Sequence, residues 1–317
     1  HQKTKSLTVD DKNKIVALAE DLEKRQETID DPEILPKVTK EDIPLSRNYP
    51  NPNISVVNNI KNYFYKSGTN GLVYHSMLFP CEALTIDELK IASLFTSSLT
   101  DIGLGSDSYE DVQKYQSSIT GGISASFTMI PNKGDSEHKL ALKISGKSLE
   151  KNAHLMQDLM IRTVQEANFG EHQRIQELLS FISADNEQSL TQNGHVLAMA
   201  NAASQLTEVA STNDLTSGIR FINNTGLLSK NISDEGSLDI YIKNLKSIQS
   251  KISLTPKNIF TASSLNQDEM NLKSFSGLNA ADVDEQNFIK VQDKSIGWIT
   301  GSQVCFCAEA FPTVDSS

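Results

Sequence analysis

The sequence has no long hydrophobic run and few cysteines. None of its apolar stretches approaches the roughly 18 residues that a membrane span requires. The first residues, as far as Leu7, carry two lysines without an apolar core after them, which is not the pattern of a secretory signal. The three cysteines, Cys81, Cys305 and Cys307, are an odd and sparse set. They favour free thiols in a reducing compartment over a disulfide framework.

Basic residues are too few for a nucleic-acid-binding protein. The chain has 29 Lys and Arg residues against 40 Asp and Glu residues, a net charge of −11. Phosphate binding needs clustered cations, so we expect no nucleic-acid partner. The acidic charge suits a basic peptide, but most acidic proteins are simply soluble. With 38% hydrophobic residues, the chain has enough apolar material for one large domain or two small ones.

The motifs of several chemistries are missing as well. There is no HxxEH, in which two imidazoles on one helical face hold zinc and a Glu polarises a water molecule. Gly103-Leu104-Gly105 and Gly121-Gly122 do not form phosphate-binding loops, and we interpret them as helix ends. No nucleophile-elbow sequence supports a catalytic serine. Cys305 and Cys307 place two thiols on one face of a predicted strand, which is half of a zinc site.

The histidines are isolated from one another. His75 shares a strand face with Val73 and Met77, so we interpret it as a packed side chain. His154 and His172 lie on predicted helices without a second His four residues later, and a solvated face is favoured for both. The others are His1, His138 and His195. We therefore predict no catalytic residue and no metal ligand in this chain, and its peptide-contact residues stay unassigned.

The remaining pattern predicts an arm followed by a mixed domain. Residues 10–29 form an amphipathic helix, and the stretch from there to Pro44 contains three prolines, which indicates extended coil. Thr85 and Glu88 form a capping box, and Asn70-Gly71 predicts a hairpin. We predict strands over 54–57, 60–65, 72–79, 123–129, 140–144 and 260–263, and helices over 86–102, 108–119, 149–164, 171–205 and 238–252.

This order of elements lacks a strict βαβ alternation. It predicts the α+β class, as a two-layer domain with helices packed on a mainly antiparallel sheet and a helical connector arm before it.

Six short segments stand in a familiar order along the chain. They are RQETIDDPEILP (25–36) with EDIP (41–44), TNGLVY (69–74), SYED (108–111), ITGGISAS (119–126), LKISGKSLEKN (142–152), and NGH (193–195) with AMA (198–200). In this register they resemble the second, non-catalytic half of the presequence-protease branch of the pitrilysin/insulinase zinc metallopeptidase superfamily. Residues 25–44 are similar to the connector between the two halves of such enzymes.

The resemblance implies where the chemistry of the family would lie. Its zinc helix belongs to the first half, upstream of the connector, and the corresponding helix here, 86–102, has no histidine. An Arg and a Tyr that assist catalysis belong to a last domain, which would begin around residues 297–312. The resemblance thus implies zinc as the cofactor of the full-length enzyme and none in this fragment. Since His1 is no natural start, we expect a piece of a longer protein.

The expected function follows from that resemblance. We expect a connector or hinge arm (1–45), a non-catalytic α+β peptidase-like domain (46–270), and a linker with the first strand of a following truncated domain (271–317). Together they form chamber wall and closure in a clamshell zinc metalloendopeptidase. Its partners would be the catalytic N-terminal half of the same chain and a short unstructured peptide substrate. We interpret His195 as a structural residue, with chamber lining as the alternative.

The alternative is a catalytically inert peptidase-like scaffold, or a peptide-binding or assembly protein. An upstream HxxEH, or its absence, distinguishes the two. The expected compartment is the cytoplasm, with the mitochondrial or another organelle matrix as the alternative.

Overall fold

The computed structural model divides the chain into two compact units, residues 1–50 and 51–317. The structure describes residues 7–29, 31, 34–46, 49–131, 138–269, 296–301 and 304–312.

Helix α1 (Val9–Glu27) dominates the first unit. A capping box starts it: the Thr8 hydroxyl accepts a hydrogen bond from the Asp11 amide at 3.1 Å, and the Asp11 carboxylate accepts one from the Thr8 amide at 3.0 Å. The predicted helix over 10–29 is confirmed. None of its residues is buried within the structure, and its apolar side chains Ile15, Leu18 and Leu22 are more than half exposed.

A six-stranded mixed sheet forms the centre of the second unit. Its strands are β1 (Asn53–Val57), β2 (Ile60–Lys66), β3 (Leu72–Cys81), β4 (Ile123–Pro131), β5 (His138–Leu149) and β6 (Asn258–Ser263). The spatial order is β1-β2-β6-β3-β5-β4, and every neighbouring pair is antiparallel except β2 and β6.

Helices form a second layer on one face of this sheet, which we call the covered face. They are α2 (Ile86–Leu99), α3 (Tyr109–Ile119), α4 (Ala153–Gln165), α5 (His172–Gln192), α6 (Gly194–Ala203), α7 (Glu208–Ser217), α8 (Ile219–Asn231) and α9 (Ser237–Ser250). The predicted α+β class with helices on a mainly antiparallel sheet is confirmed. No helix in the described ranges is both long and apolar enough to cross a bilayer.

The core lies between the two layers because strand residues alternate in burial. On β3, Val73 and Met77 are fully buried, whereas Tyr74 between them is 45% exposed. Helix α2 contributes Phe95, whose ring stacks against Phe127 of β4 with a centroid distance of 6.0 Å and against Phe169 at 5.4 Å. The apolar periodicity of α2 therefore marks a true core stripe.

The predicted capping box of α2 is confirmed, and its Glu88 also bonds to Ser247 of α9 and to Lys251 after it. The Glu88 carboxylate accepts from the Thr85 amide at 2.7 Å, from the Ser247 hydroxyl at 2.7 Å and from Lys251 Nζ at 2.6 Å. Burial acts to raise the pKa of Glu88, but these hydrogen bonds, led by Lys251, outweigh it and hold that pKa below its usual value. One carboxylate thus joins the start of α2 to the end of α9.

The predicted hairpin at Asn70-Gly71 is wrong in its pairing. Both residues have the positive φ that the sequence indicated, 52° and 80°, so the turn itself exists. The strands on either side do not pair, because β6 lies between β2 and β3. The tight hairpin instead joins β1 and β2 through Asn58 and Asn59, at φ 51° and 64°.

Four further predictions differ from the structure. Leu149 is the last, half-exposed residue of β5 and not part of a helical stripe, since α4 begins at Ala153. The single helical run over 171–205 consists of two helices, α5 and α6. The glycine-punctuated stretch after it holds α7 and α8, which the sequence did not predict. The segment 304–312, where a strand was expected around Cys305, is irregular.

Candidate functional site

His75 is a structural histidine on the covered face. Its side chain is 1% exposed, and its Nδ1 lies 2.9 Å from Thr261 Oγ1 on β6 while its Nε2 lies 3.5 Å from the Gln157 amide nitrogen on α4. A neutral ring with its proton on Nδ1 satisfies both contacts. Burial lowers the pKa of His75 to about 4. The expectation of a packed histidine is confirmed.

The other candidate ligands stay apart. His154 is exposed on α4, His172 begins α5, and the His195 ring on α6 lies 6.0 Å from that of Phe306. His1 lies outside the described residues. In the described parts of the chain, no three His, Cys, Asp or Glu side chains come close enough to hold a metal ion. These residues therefore do not fit a zinc site.

All three cysteines are free thiols. Cys81 is buried at the end of β3, and burial raises the pKa of its thiol to about 12, so it is an inert core residue. Cys305 and Cys307 are exposed in the irregular segment 304–312.

We call the face of the sheet opposite the helices the open face. Strand register places three long rows of side chains on it, each running across the strands. The rows are Ile54-Tyr63-Phe260-Ser76-Ser145-Ser124, Val56-Lys61-Asn258-Leu78-Lys143-Ser126, and Tyr65-Ala262-Tyr74-Lys147. These side chains are half-buried or exposed, in contrast to those of the covered face.

Two contacts join neighbouring side chains within the first row. The rings of Tyr63 and Phe260 stack in parallel, 4.8 Å apart with an interplanar angle of 8°. The hydroxyls of Ser76 and Ser145 lie 2.8 Å apart. The half near β1 is mainly aromatic and aliphatic but includes Lys61, whereas the half near β4 carries serine hydroxyls and the ammonium groups of Lys143 and Lys147. Such a surface offers hydrogen bonds, cations and ring faces to a ligand, but no nucleophile with an adjacent base.

A second concave feature is a groove beside α6, with a volume of about 1030 Å³. The segments 296–300 and 304–310 of the same chain line it. Trp298 Nε1 donates to Asn201 Oδ1 at 3.2 Å, and Asn201 donates to the buried carboxylate of Asp214 at 2.9 Å. The ring of Phe306 lies against Gly194, where a Cβ would stand 2.5 Å from it. The chain's own segment therefore forms one wall of this groove.

The open face was not predicted from the sequence, and no peptide-contact residue was assigned from it. The signal was present locally, because Lys61, Tyr63 and Tyr65 alternate along β2, and Lys143 and Lys147 along β5. What the sequence did not supply was the register that places Phe260 beside Tyr63, since β6 follows β2 by almost two hundred residues.

Comparisons with known proteins give the family of the chain. Residues 1–227 match the family described as Peptidase M-16C associated. The chain is 26% identical over 233 residues to presequence protease 1, chloroplastic/mitochondrial, of Arabidopsis thaliana, covering 73% of this chain and 22% of that protein. It is 27% identical over 263 residues to the mitochondrial presequence protease of Yarrowia lipolytica, covering 81% and 26%.

The matched region contains the arm, most of the sheet and most of the helical layer, so the class is a peptidase-associated α+β domain. The chain belongs to the peptidase M-16C associated family. The resemblance to presequence proteases is confirmed. The chain spans about a quarter of the length of these relatives. A conserved protein from Enterococcus faecalis V583 superposes with a TM-score of 0.42 at 11% identity, covering 71% of this chain and 53% of that one, which is too weak for a conclusion.

Proposed function

We propose that this chain is the non-catalytic half of a clamshell zinc metalloendopeptidase that degrades short, unstructured peptides. The observation that carries the proposal is the family match over residues 1–227, with presequence proteases as relatives. Zinc belongs to an upstream half in this proposal, where it would polarise the attacking water. No catalytic residue is assigned to this chain.

The open face is the wall that this half contributes. A sheet with exposed rings and hydroxyls contacts an extended peptide over several residues without cutting it. Closure of such a wall over a zinc-bearing half excludes bulk water and fixes the peptide, and both effects favour hydrolysis. The proposal assigns wall and closure to residues 46–270 and leaves 271–317 as the start of a following domain.

Residues 1–45 serve as connector and hinge. Helix α1 makes part of this arm stiff, and the prolines after it restrict bending to few positions. The exposed apolar side chains of α1, such as Leu18 at 71% exposure, are available to pack against the upstream half.

The compartment proposed is an organelle matrix. The names of the two relatives above give mitochondria or chloroplasts for those proteins. This favours an organelle matrix, the alternative compartment expected from the sequence, over the cytoplasm. Cell fractionation with a matrix marker and a cytosolic marker tests it. Co-fractionation with the cytosolic marker contradicts it.

The test of function compares three preparations on one unstructured fluorogenic peptide. They are the upstream half alone, this chain with everything downstream of it, and an equimolar mixture of the two. We expect turnover in the mixture and in the intact protein only. Full turnover by the upstream half alone makes this domain dispensable, and turnover by this chain alone reveals a site of its own. An upstream sequence without HxxEH favours the inert scaffold instead.

A further inference from the structure

The charged side chains in the three rows of the open face are all positive, which a passive wall does not need. We infer that the open face binds an acidic, extended peptide segment, with Lys61, Lys143 and Lys147 contacting carboxylates and the stacked Tyr63–Phe260 pair contacting an apolar or aromatic side chain. The inference rests on the proposed function and names the peptide class that this wall takes.

Charge on the open face is opposite to that of the whole chain. Acidic residues outnumber basic ones by 40 to 29, yet none stands on the three rows, which carry three lysines. All three lysines are exposed and form no ion pair with a described residue. Glu150 lies just beyond the third row, where its carboxylate accepts from the Ser264 hydroxyl at 2.8 Å. The ammonium groups are therefore available to an anionic ligand.

The spacing of the lysines fits an extended chain. Lys61 and Lys143 share a row and are three strands apart, which is about 14 Å at about 4.8 Å per strand. Lys143 and Lys147 are four residues apart on one strand, which is about 13 Å at about 3.3 Å per residue. Since an extended peptide advances by the same 3.3 Å or so, carboxylates about four residues apart meet two lysines at once.

A peptide suits the face better than a single-stranded nucleic acid does. Exposed rings and lysines also bind nucleic acid strands, but such grooves track many phosphates and stack successive bases. Here the described residues of the three rows supply one stacked pair and three cations, and Lys139 lies farther along β5 on the same face. The net charge of −11 repels a polyanion at long range, whereas a short peptide with two or three carboxylates is repelled far less.

The first experiment measures binding by the 317-residue chain itself. Three fluorescein-labelled peptides of about 12 residues share one sequence with a central Tyr and differ only at every fourth position, which holds Glu, Gln or Lys. Anisotropy titrations at low and physiological salt give each Kd. We expect the Glu peptide to bind most tightly, the Lys peptide most weakly, and the preference to shrink with salt.

Two variants locate the site. Lys143→Met with Lys147→Met removes both charges and keeps most of the apolar stems, and we expect it to weaken the Glu peptide about tenfold and the Gln peptide far less. The matched control is Lys114→Met, an exposed lysine on α3 of the helical layer, which should leave all three affinities unchanged. Circular dichroism melts verify that both variants fold. Equal binding of the Glu and Lys peptides, or an unaffected double variant, overturns the inference.

Two further arms test the other interpretations. The first arm measures displacement of the labelled Glu peptide by an oligonucleotide and by unlabelled peptide. If the oligonucleotide displaces it at the lower concentration, the peptide assignment is overturned. In the intact protein, the double lysine variant should raise KM for a cleavable acidic peptide more than for its basic counterpart. An unchanged ratio of the two KM values means that another part of the chain covers the face, which also overturns the inference.

Failure of this inference is distinguishable from failure of the proposed function. Cleavage by the intact protein without acidic preference keeps the peptidase half and removes the specificity. Acidic-peptide binding by this chain without cleavage by the intact protein removes the peptidase half and keeps the binding face.

Discussion

Because His75 is buried, we predict that the protein loses stability as the pH falls, beginning well above the pH at which its carboxylates titrate. The unfolded chain protonates this ring at its ordinary pKa of 6.5, whereas burial lowers the pKa of the folded state to about 4. The unfolded state therefore binds more protons between these values. The contribution of His75 to stability is complete above about pH 6.5, falls as the pH is lowered, and levels off below about pH 4.

The magnitude follows from the two pKa values. Between pH 7.5 and pH 5 the linkage relation gives a loss of about 2 kcal/mol from this single group. The structural reason is that the covered face offers the ring Thr261 Oγ1 and Gln157 Nε2, and no carboxylate that would stabilise an imidazolium among its described contacts. A second proton on Nε2 would face the amide nitrogen of Gln157.

The assay is urea unfolding at several pH values from 7.5 to 5 on three proteins. His75→Gln removes the titration, so we expect its pH dependence to be flatter than that of the unaltered chain by about 2 kcal/mol, whatever its stability at neutral pH. His154→Gln, at an exposed position on α4, is the control and should keep the original slope. A slope for His75→Gln equal to that of the unaltered chain would refute the burial argument.

Three other expectations concern the helical layer. Phe95→Ala should destabilise the chain by about 3–5 kcal/mol in a denaturant melt, because it empties a stacked core site; a loss below about 1 kcal/mol would contradict this. Glu88→Gln should cost about 2–3 kcal/mol because it leaves Lys251, which is partly exposed, without its carboxylate; an equally large loss from Glu88→Gln in the Lys251→Met background would argue against that coupling. Asn201→Ala removes the acceptor for Trp298, the single tryptophan, so its fluorescence emission should shift to longer wavelength, and an unchanged maximum would mean that the segment is held otherwise.

Short sequence patterns correctly predicted the helices and strands that depend on interactions between residues close in sequence. The start of α2 was correct because a capping box needs only four consecutive residues, Thr85 to Glu88. The alternation of β4 was correct because burial of one face fixes a period of two. Helix α8 was missed because Gly226 lies inside it and lowers its intrinsic helix propensity. Its first turn depends on Asp214, which accepts from the Ile219 amide and from Arg220.

The spatial order of the strands in the sheet could not be predicted from local sequence patterns. Asn70-Gly71 sets the backbone of a turn, but which strand pairs with β3 depends on the distant β6. The same limit applied to the open face. Each of its strands shows an alternation of exposed residues in the sequence, but the meeting of Tyr63 with Phe260 is a product of register.

Strand β3 shows how the two faces of one sheet divide their roles. Tyr74 and Ser76 point to the open face, and His75 and Met77 to the covered one, so a slip of one residue would exchange the two sets. The buried pairing of His75 with β6 opposes such a slip, because a displaced imidazole would lose its partners. The open face makes no comparable demand on folding, since its lysines are exposed and unpaired among the described residues. Substitutions there should change stability little, so their effect on peptide affinity reports on binding itself.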